Sequence, residues 1–400
     1  MRELSEWFVG AAGKRLSEVE INPVRSNQHE FQATRLVREL LGETEDPRSL
    51  EARFLYLTDD AEPLIVDSWI TYYDARSGHP DRSAEYRLYY PDNEVTAAAR
   101  AGDILVFATL HGGAALAAIA RSGSTYASQL LWLFDITLDN TMSFVVAEPE
   151  ALAGDLTPID ADVLLELFGI EVELASTSDL ELVTARFGSS FPTTAEFSAF
   201  ARENTAGADP FEDPDGALHA WWNTEYRLFQ AFERTAVEER LQHGFHGDTA
   251  VDEFLKFSLS VQNRRKSRSG HAFENHVAAV LTAHKVKFQR GAITERKAKP
   301  DFLFPGQAAY ENVAFPSEDL RMLAAKTTAK DRWRQVISEA DRIPLKHLVT
   351  LEPAISKDQT DEMAALSVQL VVPREVQKTY SWEQRDWLWT LADFIADAAN

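Results

Sequence analysis

A chain of 400 residues with 45% hydrophobic and 10% aromatic content has enough apolar surface for two or three globular domains. It contains no cysteine, which excludes a disulfide scaffold, thiolate catalysis and every Cys-bearing zinc or iron–sulfur site. The net charge of −23, taken as a whole, opposes a nucleic-acid partner. No window reaches about 18 uninterrupted apolar residues, and MRELSEWFVG is not a basic start followed by an apolar run. The expectation is a chain without signal peptide or membrane span, located in the cytoplasm.

Residues 1–145 read as mainly β. Short apolar or alternating runs at Phe54–Leu57, Ser68–Tyr73, Glu85–Tyr90, Asp103–Thr109 and Leu130–Asp135 are separated by turn-forming residues, the spacing of a barrel or sandwich. One helix is expected over Ala33–Leu41, ending at Gly42. Residues 146–216 are acidic and contain the turn-rich stretch Gly207–Gly216, so a connector with some helix is expected there. From Ala217 to the end, strands alternate with helices, the pattern of an α/β domain. Helices are expected over Leu218–Gln242, His271–His284 and Thr328–Arg342, and from Trp382, where Ser381 and Gln384 form a capping box. Strands are expected at Phe302–Phe304, Met322–Ala325, His347–Leu351 and Val368–Val372.

The acidic total conceals a segregated charge. Residues 254–350 hold 18 Lys/Arg against 9 Asp/Glu, a net +9, so an overall −23 leaves −32 in the rest of the chain. A basic segment in an acidic protein suits a polyanionic partner, because Lys/Arg neutralising phosphates supplies most sequence-independent affinity for nucleic acid. A solvated basic face without a partner explains the same charge equally well.

Within that window Pro300-Asp301 opens one strand and Lys326 closes the next. A carboxylate and a lysine on the ends of neighbouring strands suit metal-dependent phosphodiester hydrolysis: the acid holds Mg²⁺, and the ammonium stabilises charge at phosphorus or orients the nucleophile. The usual second acid, two residues before the lysine, is here Ala324. Glu339 offers a replacement. On a helix over 328–342, Arg332, Gln335, Glu339 and Arg342 share one face while Trp333, Val336, Ile337 and Ala340 share the packing face. Glu274, on the preceding helix, is a further candidate acid. An ordinary exposed ion pair between Glu339 and Arg332 is the plain alternative.

The stretch Phe257-Ser258-Leu259-Ser260-Val261-Gln262-Asn263-Arg264-Arg265-Lys266-Ser267-Arg268, with Gly270-His271, Lys299-Pro300-Asp301-Phe302, Lys326-Thr327-Thr328-Ala329-Lys330-Asp331-Arg332-Trp333-Arg334-Gln335 and Glu339-Ala340-Asp341-Arg342, resembles the catalytic domain of EcoRII-type restriction endonucleases. The resemblance covers roughly residues 217–380. It implies a PD-(D/E)XK fold in which the second acid has moved from the strand to the following helix, with Asp301 and Glu339 as Mg²⁺ ligands and Lys326 as the catalytic lysine. It also implies a place near the active site for Tyr310. Related enzymes read C:G pairs with a basic–acidic–Arg triplet, here Lys330-Asp331-Arg332, Lys or Arg donating to guanine and Asp accepting from cytosine. A target with CC and GG steps, such as CCWGG, follows from that resemblance. Arg264, Arg265, Lys266 and Arg268 are further candidate DNA contacts, and Trp221, Trp222, Tyr226 and Arg227 could line a pocket for a flipped base or simply be core.

By domain order, length and β-rich pattern the first 145 residues resemble the B3-like pseudobarrel effector domain of the same family. Two segments suit groove-reading loops: one with Asn27, Gln28 and His29, the other with Arg76, Arg82 and Arg87. The expected organisation is an effector DNA-binding domain over 1–145, an acidic connector over 146–216, and a catalytic PD-(D/E)XK domain over 217–400. The family resemblance implies a type IIE enzyme: a homodimer that binds one site as effector, cuts another, and is autoinhibited until the effector site is filled. Two rivals stay open, a DNA-binding protein without cleavage and a nuclease acting on modified DNA.

Overall fold

The computed structural model describes residues 2–21, 29–42, 44, 46–77, 81–138, 142–147, 155–156, 164–170, 176–188 and 191–399. The chain divides into two compact units, Met1–Val172 with Pro353–Thr360, and Glu173–Glu352 with Asp361–Asn400.

The strands of the first unit are β1 (Arg2–Glu3), β2 (Phe8–Arg15), β3 (Glu30–Gln32), β4 (Arg48–Leu57), β5 (Leu64–Asp74), β6 (Tyr86–Tyr89), β7 (Ile104–Leu110), β8 (Ala115–Ala120), β9 (Val145–Val146) and β10 (Asp155–Leu156). Eight of them form one mixed sheet in the order β3-β6-β5-β4-β8-β7-β2-β9, while β1 pairs with β10. Every neighbouring pair in the large sheet is antiparallel except β4 with β8. Period-two alternation along β4 sends Leu50, Ala52, Phe54 and Tyr56 into the core, where they join Phe31, Tyr72, Leu88, Phe107 and Ile119. The expected helix forms over Arg35–Leu41 and stops at Gly42, whose φ of 77° lies in the region that glycine alone enters without cost.

One expected strand is a helix. Leu130–Asp135 falls largely in the helix Thr125–Leu133, started by Ser124, whose Oγ accepts from the Ala127 N–H at 3.1 Å. A short apolar run is compatible with a buried strand or a buried helix, and the N-cap serine decides in favour of the helix.

The second unit combines a helical layer with a four-stranded sheet. The stretch expected as a connector contributes the helices Thr177–Phe187 and Thr194–Glu203 to this unit. They pack on the helix Pro214–His243 through Val183, Phe197, Phe200, Ala201, Leu228, Phe229 and Phe232. Capping boxes at Ser176 and Thr193 explain why an acidic stretch still makes regular helices. The turn-rich segment ends at Asp213, which caps the Pro214–His243 helix by accepting from Gly216 N–H at 3.0 Å. The expected helix over 271–284 is the end of a longer one, Ala250–Ala283.

The sheet strands are β11 (Phe302–Phe304), β12 (Arg321–Lys326), β13 (Lys346–Thr350) and β14 (Val368–Val371), in that order. The first pair is antiparallel, with Phe302 opposite Leu323, and the other two are parallel. This register brings Asp301, just before β11, beside the carboxyl end of β12, where Lys326 stands. The chain closes with the helices Trp382–Arg385, capped by Ser381 and Gln384 as expected, and Leu391–Ala398. Among the described residues no helix is long and apolar enough to cross a membrane.

Candidate active site

At the open end of β11 and β12, Asp301 Oδ2 accepts from Lys326 Nζ at 2.7 Å and from the Ala325 N–H at 2.8 Å. Antiparallel pairing of short apolar strands fixes both backbones, so the carboxylate and the ammonium meet with only 16% of either side chain exposed.

Glu339 completes the cluster, by a route that differs from the expected one. The helix after Lys326 is not continuous over 328–342: a single 3-10 turn covers Lys330–Arg332 and an α-helix covers only Trp333–Ile337. Ser338 ends the helix and Ala340 has a φ of 51°, so Glu339 lies in the turn beyond it. The shared helical face of Arg332, Gln335, Glu339 and Arg342 therefore does not exist. Of the expected packing face, Trp333, Val336 and Ala340 are fully buried and Ile337 is half-buried. Arg342 turns its guanidinium away from reaction chemistry, donating to the Tyr310, Asn312 and Phe315 carbonyls, the last at 2.8 Å.

Glu339 is the most perturbed acid of the cluster. Burial, then repulsion from the Asp301 carboxylate, pushes its carboxyl up to about 7 against the attraction of Lys326 and Lys346. One of its carboxylate oxygens, Oε2, is buried with no hydrogen-bond partner among the described residues. A buried, partnerless carboxylate oxygen that feels a second carboxylate is a poor structural element and a good half of a cation site. Asp301 and Glu339 are hard oxygen donors, so the pair suits a hard divalent cation. Among the described residues no cluster of three or more His, Asp or Glu side chains surrounds a metal position.

The turn bearing Glu339 is fastened by residues that sequence reasoning had not singled out. Glu295 accepts from Tyr310 Oη at 2.5 Å and from the Asp341 N–H at 3.1 Å. Burial alone would raise the Glu295 carboxyl, but these hydrogen bonds and the nearby Lys346 hold it below its ordinary value. Thr294 Oγ accepts from the Ala340 N–H at 3.4 Å. Lys346, at the head of β13, donates from Nζ to the Ala340 and Ile343 carbonyls, both at 2.6 Å. Its ammonium pKa is lowered by burial against the attraction of Asp341, Glu295 and Glu339. A lysine at the head of a strand that also carries Leu348 and Val349 was the available signal.

Tyr310, on the short helix Gln307–Glu311, belongs to this bracing network: besides Glu295 it receives the Arg342 N–H at 3.2 Å, and burial, then the Glu295 bond, raises its phenol pKa. Glu274 accepts from Arg290 at 2.6 Å, and Arg290 in turn lies over the ring of Phe302, next to Asp301.

The candidate DNA contacts divide by what they already touch. Arg332 is exposed, Lys330 is half-buried, and Asp331 stands between them in the chain. Arg265 pairs with the buried Glu233 at 2.5 Å, and Arg264 lies over Phe191 at 4.2 Å. Arg268 lies over Phe191, Phe197 and Phe229 and donates to the Pro192 carbonyl, and burial lowers its pKa. Lys266 sits on the same helix, but its side chain lies outside the described residues. Trp221 packs on His276 and Trp222 on Phe273, both tryptophans being buried, and Arg227 pairs with Asp179. In the first unit Asn27 and Gln28 lie outside the described residues. His29 pairs with Asp92 at 3.1 Å, Arg76 with Glu85, and Arg87 with Glu30 at 2.6 Å and Glu85 at 2.8 Å, while Arg82 is exposed.

Asp301 and Lys326 on adjoining strand ends, with Glu339 supplied from a turn, bring together two carboxylates that could hold a hard cation and an ammonium that could stabilise charge on an oxyanion. Residues 229–395 match the family model described as EcoRII C terminal. The chain is similar to the type II restriction enzyme EcoRII of Escherichia coli, with 39% identity over 232 residues, 58% of this chain. Those residues are 56% of the relative, so the chain spans little more than half of its length. Similar solved structures include metal-depleted Ecl18kI in complex with uncleaved, modified DNA, 20% identical, covering 56% of this chain and 84% of that one with a TM-score of 0.45. The restriction endonuclease PspGI–substrate DNA complex is 16% identical, covers 52% and 92% respectively, and has a TM-score of 0.42.

Proposed function

We propose that this protein is a type II restriction endonuclease, of the IIE kind, that hydrolyses both strands of DNA at a specific site with Mg²⁺. The observation that carries the reading is Glu339: a half-buried carboxyl near pH 7, with a partnerless oxygen, facing the Asp301–Lys326 pair. Asp301 and Glu339 would hold the cation, which supplies Lewis acidity toward the scissile phosphate and a lowered pKa for bound water. Lys326 keeps its ammonium beside the reacting phosphate, where it neutralises developing charge and orients the attacking water. In-line attack leaves 5′-phosphate ends.

Lys330, Asp331 and Arg332 read the target from the major groove, which favours a site with CC and GG steps such as CCWGG. Support for DNA as the partner comes from the net +9 over residues 254–350 and from the similarity to EcoRII. The first unit, mainly β and similar in chain position to a B3-like effector domain, binds a second copy of the site. The effector domain covers 1–145 and the catalytic domain 217–400, two chains pair as a homodimer, and the enzyme stays autoinhibited until effector DNA binds.

Incubation with unmethylated phage DNA and Mg²⁺ gives discrete fragments with wild type and none with Lys326→Ala, and end mapping locates CC and GG at each cut. Binding without cleavage by wild type would favour the DNA-binding rival, and cuts lacking CC/GG would remove the assigned specificity. Adding a short duplex with the mapped site accelerates cleavage of a single-site plasmid; an unchanged rate would remove the effector role.

A further inference from the structure

The segment between Lys326 and Arg332 joins the cutting residues to the residues assigned to base reading, and a buried carboxylate holds it from below. Glu352 follows β13 and is 2% exposed. Its Oε2 accepts from the Ala329 N–H at 2.5 Å and the Lys330 N–H at 3.0 Å. Those two donors open the 3-10 turn Lys330–Arg332, and Lys330 itself has a φ of 29°, a conformation a lysine rarely adopts. A carboxylate oxygen that accepts from two consecutive backbone amides ties them to a fixed point and can hold such a backbone.

Glu352 is itself fixed from two sides. Its N–H donates to Thr350 Oγ1 at 3.1 Å, and Thr350 Oγ1 donates to the Thr327 carbonyl at 3.3 Å. Its carbonyl accepts from Tyr380 Oη at 2.6 Å. Because β13 runs parallel to β12, with Lys326 opposite Thr350, the brace starts level with the catalytic lysine. The Thr350–Glu352 pair thus ties the turn at Thr327, Ala329 and Lys330 to the strand beside Lys326.

We infer that Glu352 is a positioning residue for sequence discrimination: it sets the place of Lys330, Asp331 and Arg332 relative to Lys326 without touching DNA. This rests on the function proposed above. Without the carboxylate the Ala329 and Lys330 amides are left buried, Lys330 relaxes from its strained backbone, and the donors of the triplet leave their register with the base edges. Backbone phosphate contacts, which carry non-specific affinity, are unaffected.

The test measures binding in EDTA to two duplexes, one with the cut site mapped for wild type and one with a single C:G pair of it exchanged. The cognate-to-exchanged affinity ratio falls about ten- to hundredfold in Glu352→Ala, the equivalent of losing one base contact. It falls less in Glu352→Gln, which keeps an acceptor oxygen, while affinity for the exchanged duplex stays near wild type in both. Should Glu352→Ala fail to fold, Thr350→Val, close to isosteric, decides with a ratio reduced about tenfold. Ratios within twofold of wild type in the folded variants, or a parallel loss of affinity for both duplexes, overturn the inference while leaving the nuclease reading intact. A wild type that yields no discrete fragments overturns both.

Discussion

Glu339→Gln makes the metal-free protein more stable at pH 8 and leaves it about as stable as wild type at pH 5. The carboxyl of Glu339 sits near 7 in the fold against an ordinary 4.5, pushed there first by burial and then by Asp301. A raised folded pKa means the native state holds its proton longer than the unfolded chain, so stability present below pH 4.5 is lost as pH rises to 7. A difference of about 2.5 units at 1.36 kcal/mol each makes that loss about 3 kcal/mol. Gln, uncharged throughout, avoids it. For a unit of about 200 residues, 1 kcal/mol moves Tm by about 2–4 °C, so the variant should melt about 6–12 °C higher at pH 8 in EDTA. Other acids titrate in both proteins and cancel in the difference. Adding Mg²⁺ or Ca²⁺ at pH 8 should raise the wild-type Tm and close the gap, because a cation repays the cost of the ionised pair, while Gln gains little. Paired melting curves from pH 5 to pH 8 check this. A variant-minus-wild-type difference that does not change with pH would refute the assignment of Glu339 as the buried acid facing Asp301.

Three further outcomes follow from the same geometry. Divalent-cation affinity, read by Ca²⁺ titration calorimetry, should fall up to about tenfold per pH unit below 7, where protons compete for Glu339; a flat profile between pH 6 and 7 would oppose it. Lys346→Met removes the donor to the Ala340 and Ile343 carbonyls, and should cost about 1–3 kcal/mol in denaturant unfolding together with weaker Ca²⁺ binding. Arg268→Ala should lower Tm, since the guanidinium lies on three phenylalanine rings, yet leave discrimination between sites unchanged; Arg332→Ala should leave Tm near wild type and reduce discrimination by about 1–3 kcal/mol.

The strand ends of the site were legible because the apolar runs there span only three or four residues between Asp301, Pro305, Arg321 and Lys326, too short for a helix and long enough for a strand. Phe302–Phe304 and the strand ending at Lys326 occur where the pattern places them, and their antiparallel register alone brings Asp301 to the lysine. The helix after Lys326 was not legible. Trp333, Val336 and Ala340 repeat at a spacing that a continuous helix would give, but a five-residue helix followed by a turn buries the same three side chains. Periodicity reports which residues go inward and is blind to a break that preserves that set. The arginines near residue 265 illustrate the converse limit of composition. A run of Arg264, Arg265 and Arg268 counts as charge in the sequence, whereas in the fold Arg268 covers Phe191, Phe197 and Phe229, and Arg265 is matched by Glu233, 32 residues earlier on another helix.

Placing the second acid in a turn changes what must be conserved in the physics of the site. An acid two residues before the lysine would be held by sheet hydrogen bonds at no extra cost. Glu339 lacks them, and ordering a non-helical residue costs about 1–2 kcal/mol of backbone entropy before any cation is bound. That cost is met from outside the turn: Lys346 and Thr294 fix Ala340, Glu295 fixes Asp341, and Arg342 anchors to the carbonyls of Tyr310, Asn312 and Phe315. Lys346 also places a buried ammonium within electrostatic reach of Glu339, which offsets part of the repulsion between two carboxylates before a cation arrives. The brace and the charge balance therefore reside in the same residue, so Lys346→Met should disturb cation affinity more than Tyr310→Phe, which loosens the turn and leaves the charges in place.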